Sequence, residues 1–179
     1  MTIARQRWTA ATLLLGGVTL TAAIAIAGLA GLRVNLTPSY PLGLWRIVPK
    51  NADYGVGDLV FVCPPKTAIF EMAVERGYLP LGLCPGGTGP LIKTIAATSG
   101  QSVEIGPKVM IDGLPVANSD IRRKDASGRA LAPAAGGVVP AGAVFLLSDY
   151  SGSFDSRYFG PIPSRGILGL AQPVLIYAR

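Results

Sequence analysis

Histidine is absent from this chain of 179 residues. A serine or cysteine nucleophile therefore cannot be paired with a histidine base, and any hydrolytic chemistry must use another base. Cysteine occurs only at Cys63 and Cys84, and neither has histidine or cysteine neighbours at the spacing of metal ligands. We therefore expect no metal site, and we expect the protein to work without a cofactor.

Charged residues are missing from residues 8–32, a run of 25 positions. A helix needs about 20 apolar residues to cross a bilayer, so this run is long enough to span a membrane. Arg5 and Arg7 precede it, and basic residues stay on the cytoplasmic side, so the rest of the chain should lie across the membrane. The sequence thus predicts a cytoplasmic tail at 1–7, a transmembrane anchor at 8–32 and an extracytoplasmic domain at 33–179.

A cleavable signal peptide is the alternative interpretation of the same segment. Small residues such as Ala23, Ala25 and Ala27 would suit cleavage, although the run is longer than the usual signal-peptide core of about 7 to 15 residues. Both interpretations place most of the chain outside the cytoplasm. There, an even number of cysteines indicates one disulfide, Cys63–Cys84; two free thiols packed as small apolar side chains are the alternative.

The net charge of +6 is modest and indicates a weak preference for anionic lipid headgroups. The one basic cluster, residues 122–124, has no interleaved aromatic side chains. We therefore expect a solvated loop there and no binding of nucleic acid. The lipid bilayer is the partner that composition indicates.

Beyond the anchor, short apolar runs alternate with glycine and proline turns. This pattern predicts a mainly β domain of short antiparallel strands, either a sandwich or barrel-like. Asp112-Gly113 predicts a tight hairpin. Apolar residues at helical spacing predict one helix outside the anchor, at 67–78, within an insert at 63–90. We expect a mobile loop at 117–137 and a polar loop at 148–157.

Lys93 lies in the middle of the apolar run 91–97. A strand this apolar is buried on at least one face, and a buried ammonium without a partner is unfavourable, so burial should lower the pKa of the amine. To act as a base at pH 7 to 8, its pKa would have to fall by roughly 2 to 3 from the ordinary value. Lys93 is therefore the candidate general base. The alternative is a lysine at the sheet edge, with its stem packed and its head in water.

Ser39 is the candidate nucleophile, because Pro38 and Pro41 flank it and hold its backbone extended and rigid. It follows Arg33 by six residues, so it stays within about 20 Å of the membrane surface. A catalytic group this close to the membrane surface can reach membrane-embedded substrates. The alternative is an ordinary turn residue.

A polar segment at 151–160 supplies the remaining candidates. Asp155 and Arg157 would point the same way on an extended chain and could form a salt bridge that fixes the loop. Ser153 or Ser156 could hydrogen-bond a neutral lysine amine. The alternative is a polar turn between two strands.

In this order, these features resemble the Ser/Lys signal peptidase I superfamily. The resemblance rests on the anchor, the serine just beyond it, a Tyr-x-x-Gly-Asp strand at 54–62, an apolar strand with one lysine, and a Ser-x-Asp-Ser-Arg-x-x-Gly loop at 153–160. The segments 39–46 (SYPLGLWR) and 153–161 (SFDSRYFGP), together with the cysteine-bracketed insert, are closer to its TraF-like branch of conjugative-transfer peptidases.

The resemblance implies a signal-peptidase-like β domain and a role for each candidate. Ser39 would attack the scissile carbonyl, and neutral Lys93 would take its proton. The backbone amide of Ser39 and the hydroxyl of Thr37 would form the oxyanion hole. Three further residues would orient the amine and hold its loop: Ser153, Asp155 and Arg157.

The first hypothesis is thus a membrane-anchored serine endopeptidase that processes an exported precursor with small residues at the cleavage site. The TraF-like branch implies a pilin subunit as substrate, maturation to either a linear or a head-to-tail cyclised product, and other conjugative-transfer membrane proteins as partners. It also implies a single-pass protein of the bacterial inner membrane with its catalytic domain in the periplasm; a periplasmic protein released by signal cleavage is the alternative.

Two other functions are weighed against it. One is a general secretory signal peptidase, against which the short chain argues, as do Thr94, Ser99 and Gln101 where that group usually has Arg, Pro and Asp. The other is a non-catalytic, membrane-tethered β module that binds peptides. In that case Ser39 and Lys93 would lie far apart, or Lys93 would be charged.

Overall fold

The computed structural model describes the backbone of residues 3–177 and the side chains of residues 7–177. A helix of 27 residues, α1 (Ile3–Leu29), begins the described chain. Among the described residues, it is the one helix long and apolar enough to cross a membrane; within its segment Arg7–Leu29, a window of 18 residues has a mean hydropathy of 2.0 and is not buried against the rest of the protein. Apolar side chains exposed around a helix need an apolar surrounding, which a bilayer supplies.

The rest of the described chain is mainly β. Two shorter helices, α2 (Ala68–Glu75) and α3 (Ser156–Phe159), and a 3₁₀ turn at Ser164–Gly166 interrupt the strands. The strands described are β1 (Leu32–Asn35), β2 (Leu42–Val48), β3 (Leu59–Val62), β4 (Leu91–Thr98), β5 (Ser102–Ile105), β6 (Val109–Ile111), β7 (Leu114–Pro115), β8 (Gly137–Val138), β9 (Ala143–Leu147), β10 (Ile162–Pro163) and β11 (Ile167–Tyr177).

The larger sheet of the described chain has the strand order β1-β2-β11-β3-β4-β9-β10, and each of its strand pairs is antiparallel. The long strand β11 joins its two halves, since its first residues pair with β3 and its later ones with β2. The register with β2 shifts between Pro173 and Leu175. Proline has no N–H to donate to a ladder, so an irregularity at this point is expected.

A smaller antiparallel sheet has the order β7-β6-β5-β8 in the described chain. The predicted hairpin joins β6 to β7, where Asp112 and Gly113 have φ of 49° and 75°. Both values lie in the left-handed region that a tight hairpin turn requires, which explains the Asp-Gly pair. The two antiparallel sheets confirm the predicted mainly β class.

The insert between β3 and β4 packs its helix against the core. Phe70 and Ala73 of α2 are buried in the main apolar cluster, on the face that helical spacing predicts. The predicted disulfide joins Cys63 to Cys84, with 5.4 Å between their Cα atoms. It closes the base of the insert, so α2 is held against the sheet at both ends.

Two loops differ from the sequence prediction. The polar loop predicted at 148–157 ends in α3, because Asp155 caps this helix by accepting a hydrogen bond from the backbone N–H of Arg157. The segment 117–137, predicted to be a mobile loop, is tied to the insert: Asp125 accepts a hydrogen bond from the Tyr78 hydroxyl at 2.5 Å, and the carbonyl of Ala130 accepts one from the Arg76 Nη1 at 2.8 Å. Its glycine-rich composition does not indicate these contacts.

Candidate active site

Lys93 is the third residue of β4, which has β3 on one side and β9 on the other. Side chains alternate along a strand, so Lys93 shares a face with Leu91 and Ile95 of the main apolar cluster. It is only 3% exposed. Burial lowers the pKa of Lys93 to about 8; the charge of Asp155 opposes this shift and the charge of Arg157 adds to it. The alternative of an edge lysine with its head in water is therefore wrong.

Two hydroxyl side chains from distant parts of the chain meet at this amine. The Lys93 Nζ lies 2.8 Å from the Ser153 Oγ and 3.3 Å from the Ser39 Oγ. The two hydroxyl oxygens are 3.2 Å apart. Lys93 and Ser153 are buried, whereas Ser39 is half-buried. The cluster is thus closed around the amine and opens to the surroundings at Ser39.

Of the two serines proposed to bond the lysine, the structure places Ser153 there. The Ser156 hydroxyl instead accepts a hydrogen bond from the backbone N–H of Leu146 at 2.9 Å, which joins α3 to β9. Ser156 therefore has a structural contact, and Ser153 is the residue that touches both Lys93 and Ser39.

Asp155 and Arg157 form a fully buried, bidentate salt bridge. The Arg157 Nε donates to Asp155 Oδ1 at 2.8 Å, and its Nη2 donates to Oδ2 at 2.7 Å. The salt bridge was predicted, but its assumed basis was wrong, because Arg157 lies in α3 and not on an extended chain. The guanidinium also donates to four backbone carbonyls, those of Asp120, Tyr150, Ser151 and Ser153. The pair therefore fixes the loop that carries Ser153.

Ser39 lies in a tight loop between β1 and β2, which we call the nucleophile loop (residues 36–41). The loop curls around the side chain of Asn35, the last residue of β1, which is 8% exposed. The Asn35 Nδ2 lies 3.0 Å from each of the carbonyl oxygens of Thr37, Tyr40 and Pro41. Its Oδ1 accepts from the backbone N–H and the hydroxyl of Thr37, at 3.1 and 2.8 Å.

The hydroxyl of Thr37 therefore points its proton at Asn35 in this structure. Thr37 is predicted to donate that proton to an oxyanion beside the Ser39 amide. A hydroxyl rotates about its C–O bond, so a change of partner needs no movement of the backbone. The structure places Thr37 two residues before Ser39 in the same loop and shows its resting partner.

Two further contacts join the nucleophile loop to the sheet. The Ser148 hydroxyl donates to the backbone carbonyl of Ser39 at 2.7 Å, and the Ser148 N–H donates to Asp155 Oδ2 at 3.2 Å. The Tyr40 hydroxyl lies 2.6 Å from the Thr94 Oγ1, next to Lys93 on β4. The loop is thus anchored at Ser39 itself and at the residue that follows it.

Sequence reasoning missed Asn35, Ser148 and the contact between Tyr40 and Thr94. For Asn35 a signal existed, because an asparagine two residues before Thr37 suits a turn in which the side-chain oxygen accepts the N–H two residues later. Ser148 carries no such signal, since its partner is brought to it only by the pairing of distant strands. Thr94 stands beside Lys93 on the strand, but a hydroxyl there has many potential partners.

Aromatic rings of the insert pack against the loop that carries Ser153. Phe70 of α2 lies 6.3 Å from Phe154 and 4.9 Å from Phe159, measured between ring centroids, and Tyr78 lies 5.2 Å from Phe154. Phe154 sits between Ser153 and Asp155 in sequence. The disulfide-closed insert therefore packs directly against the segment that holds the Lys93 amine.

The arrangement fits acyl transfer. It brings together a hydroxyl that can attack a carbonyl, a buried amine whose pKa is low enough for it to be neutral at mildly alkaline pH, and hydroxyl and amide donors in the same loop. In the described part of the chain, no group of three or more cysteine, aspartate or glutamate side chains is placed to hold a metal ion.

Comparison with known proteins identifies the family. The model of the family described as signal peptidase, peptidase S26, matches residues 5–176. The chain belongs to the S26 signal peptidase family. A solved signal peptidase I from Enterococcus faecalis V583 has a TM-score of 0.41 and 18% identity, covering 69% of this chain and 98% of that one.

Within the S26 family, the most informative relatives bear the name TraF. The probable conjugal transfer protein TraF of Sinorhizobium fredii (strain NGR234) is 56% identical over 93% of this chain and 90% of its own. The conjugal transfer protein TraF of Agrobacterium fabrum (strain C58) is 54% identical over 90% and 92%. A plasmid transfer protein TraF of Escherichia coli is 39% identical over 87% and 91%. These identities confirm the predicted TraF-like branch.

Membership of the S26 family makes the protein signal-peptidase-like and supports a serine peptidase role and a membrane anchor. The individual roles of Ser39, Lys93, Thr37 and Ser153, and the domain boundaries at 7, 32 and 33, remain predictions. The distances reported above show which of these residues lie within reach of one another.

Proposed function

We propose that this protein is a membrane-anchored serine endopeptidase that matures an exported precursor, with Ser39 as nucleophile and Lys93 as general base. The observation that carries the proposal is the buried Lys93 amine, which lies 3.3 Å from the Ser39 hydroxyl and has a lowered pKa of about 8. Two such groups, paired in a chain without histidine, form a nucleophile and its base.

The first step is acylation of the enzyme. Neutral Lys93 takes the hydroxyl proton as the Ser39 Oγ attacks the scissile carbonyl. The negative charge that develops on the carbonyl oxygen is stabilised by the Ser39 N–H and by the Thr37 hydroxyl, which turns from Asn35 to the oxyanion. A donor of this kind contributes about 2.7 to 4 kcal/mol to transition-state stabilisation. The Lys93 ammonium then gives its proton to the leaving amine of the substrate. Ser153 holds the Lys93 side chain in place.

The second step releases the acyl group. Lys93 is neutral again and can take a proton from water, which gives a linear product, or from an amine of the substrate, which gives a new peptide bond. Attack by the amine at the other end of the same chain would close the product head to tail. We propose that the substrate is the pilin subunit of a conjugative-transfer system, a setting that the names of the relatives support.

The proposed location is the inner membrane, with the β domain in the periplasm. The apolar helix α1 supports the anchor, and the basic residues before it support a cytoplasmic N-terminus. Cys63 and Cys84 are joined, which suits an oxidising compartment.

The alternative functions have less support. A non-catalytic peptide-binding module predicts that Ser39 and Lys93 lie far apart or that Lys93 stays charged, whereas their side chains lie 3.3 Å apart and burial lowers the pKa of Lys93 to about 8. A general secretory signal peptidase does not explain why the relatives at 54% and 56% identity are named conjugal transfer proteins.

The test is mass spectrometry of the pilin precursor encoded with the same transfer system, co-produced in a bacterial host with the full-length protein. We expect a shortened pilin with the wild type, and only unprocessed precursor with Ser39→Ala or Lys93→Arg. The first variant lacks the nucleophile, and in the second a guanidinium cannot act as a base at neutral pH. Ser127→Ala and Lys66→Arg, at exposed positions, are the matched controls and should process normally.

The product mass also separates the two fates of the acyl-enzyme. A pilin lighter than the linear cleaved chain by one water would show cyclisation, and a pilin at the linear mass would show hydrolysis. Normal maturation by the Ser39→Ala or the Lys93→Arg variant would overturn the proposed mechanism. An unprocessed pilin with the wild type would overturn the proposed substrate.

A further inference from the structure

The side chain of Asn35 takes part in hydrogen bonds with three residues of the nucleophile loop, yet the chemistry described so far gives it no role of its own. Three carbonyl oxygens lie at its Nδ2 and two donors at its Oδ1. If the carboxamide were turned by 180°, its oxygen would face the three carbonyl oxygens and its NH₂ group would face the two donors of Thr37. Neither set of contacts could then form hydrogen bonds. The orientation is therefore fixed by its partners.

The nucleophile loop depends on this side chain because the loop cannot hold itself together. Pro38 and Pro41 have no N–H, so the loop lacks two of the backbone donors that would normally bond its carbonyls. The Asn35 NH₂ group supplies donors in their place and draws the carbonyls of Thr37, Tyr40 and Pro41 around one point. These residues lie on both sides of Ser39, so Asn35 sets the position of its backbone amide as well as its hydroxyl.

The Oδ1 of Asn35 also controls the Thr37 hydroxyl. It accepts the hydroxyl at 2.8 Å and the Thr37 N–H at 3.1 Å. When the hydroxyl turns away to an oxyanion, Oδ1 keeps the N–H and is not left unsatisfied, which avoids the usual penalty for a lost partner. The hydroxyl exchanges a neutral hydrogen bond for a stronger, charge-assisted one. The resting contact therefore holds the donor beside the site without preventing its use.

We propose that Asn35 is the positioning residue of this active site, which fixes the nucleophile loop through its NH₂ group and presents the Thr37 hydroxyl to the oxyanion through its Oδ1. The catalytic part of this inference rests on the proposed function. The structural part, that Asn35 holds the loop, is independent of the proposed function.

Asn35→Asp is the sharpest perturbation. It keeps the size and the Oδ1 acceptor but replaces the NH₂ donor with a carboxylate oxygen, which faces three carbonyls and repels them. Asn35→Ser, measured in parallel, removes the carboxamide without adding a charge, so the test does not depend on one variant. Asn51→Asp introduces the same charge at an exposed position and is the matched control.

The first measurement needs no substrate. Amide hydrogen exchange of the full-length protein in detergent micelles, read by mass spectrometry, should rise at least tenfold in the peptide that covers the nucleophile loop. Peptides from β3 and β4 should exchange as in the wild type, which shows that the variant is folded. Unchanged exchange in the loop of both Asn35 variants would overturn the inference, whatever the substrate is.

The second measurement is a double-mutant cycle on kcat for pilin processing. Loss of one oxyanion donor lowers kcat by about 10² to 10³, so we expect Asn35→Asp to lower kcat by at least about tenfold, with KM changed less than about threefold. In a Thr37→Val background, the same change should have an effect at least about threefold smaller. Equal effects in both backgrounds would overturn the role through Thr37, because residues that act independently of each other give additive losses.

Failure of the proposed function has a different signature. If the wild type does not process the pilin, the proposed substrate is wrong, while the exchange measurement still decides whether Asn35 holds the loop. If the wild type and Asn51→Asp process it equally and the cycle is non-additive, both proposals stand.

Discussion

Replacement of Lys93 by methionine should stabilise the folded protein at neutral pH and destabilise it at high pH. Methionine fills nearly the same space as the lysine stem and carries no charge. Burial lowers the pKa of Lys93 from 10.5 to about 8, so keeping the amine protonated in the folded state is unfavourable by about 3 kcal/mol. Against this, the Ser153 hydroxyl loses its bond to the amine, which costs about 1 to 2 kcal/mol. We therefore expect a net gain of about 1 to 2 kcal/mol at pH 7.

The pH dependence is the diagnostic part. Between pH 8 and pH 10.5 the unfolded chain keeps the Lys93 proton that the folded chain has already lost, so the wild type becomes more stable as the pH rises. Below pH 8 both states bind the proton, and the full penalty of about 3 kcal/mol applies. The methionine variant has no such group. It should therefore be more stable than the wild type at pH 7 and less stable at pH 10.5.

The assay is urea unfolding of the full-length protein in detergent micelles, followed by circular dichroism at a series of pH values with the disulfide intact. Lys66→Met is the matched control, because it removes an exposed charge and no buried ammonium. A stability difference between Lys93→Met and the wild type that stays constant from pH 7 to pH 10.5 would refute the reasoning, because the buried amine would then bind its proton equally well in both states.

Three further predictions concern the support of the site. Asp155→Asn breaks the buried pair with Arg157 and should lower stability by about 3 to 5 kcal/mol together with processing activity; unchanged melting and activity would contradict this. Replacing Cys63 and Cys84 by serine opens a loop of 21 residues and should lower stability by about 3 kcal/mol in urea, whereas two titratable thiols in wild-type protein from its native compartment would rule out the bridge. Phe70→Ala should cost about 3 to 5 kcal/mol and reduce the rate of pilin processing, because the ring supports Phe154; full processing activity in a folded variant would show that the insert does not act on the loop.

Composition and local pattern determine which features the sequence reveals. The lysine in an apolar run predicted burial and a lowered pKa, because both follow from its immediate neighbours. The Asp112-Gly113 hairpin, the helix of the insert and the mainly β class follow from local rules in the same way. Family resemblance added Thr37 and the catalytic role of each site residue, since the order of these residues along the chain is itself a motif.

Contacts between distant segments could not be predicted in this way. Ser148 reaches the carbonyl of Ser39 only because β9 pairs with β4 in the sheet and places residue 148 beside the nucleophile loop. The short helix α3 depends on the Asp155 cap, and that carboxylate was assigned only to the salt bridge. The loop at 117–137 was predicted to be mobile from its glycine content, whereas its bonds to Arg76 and Tyr78 of the insert decide its position. In each case, tertiary contacts outweighed the local composition.

The dependence of kcat/KM on pH tests the central claim most directly, since the claim is that a neutral Lys93 takes the proton of Ser39. Processing of the pilin precursor should rise with pH and reach half its maximum near pH 8, where burial places the pKa of Lys93, so that at pH 7 roughly a tenth of the enzyme is active. A profile that is flat from pH 6 to pH 9 in the wild type would contradict the claim, because the base would then be a group other than this buried amine.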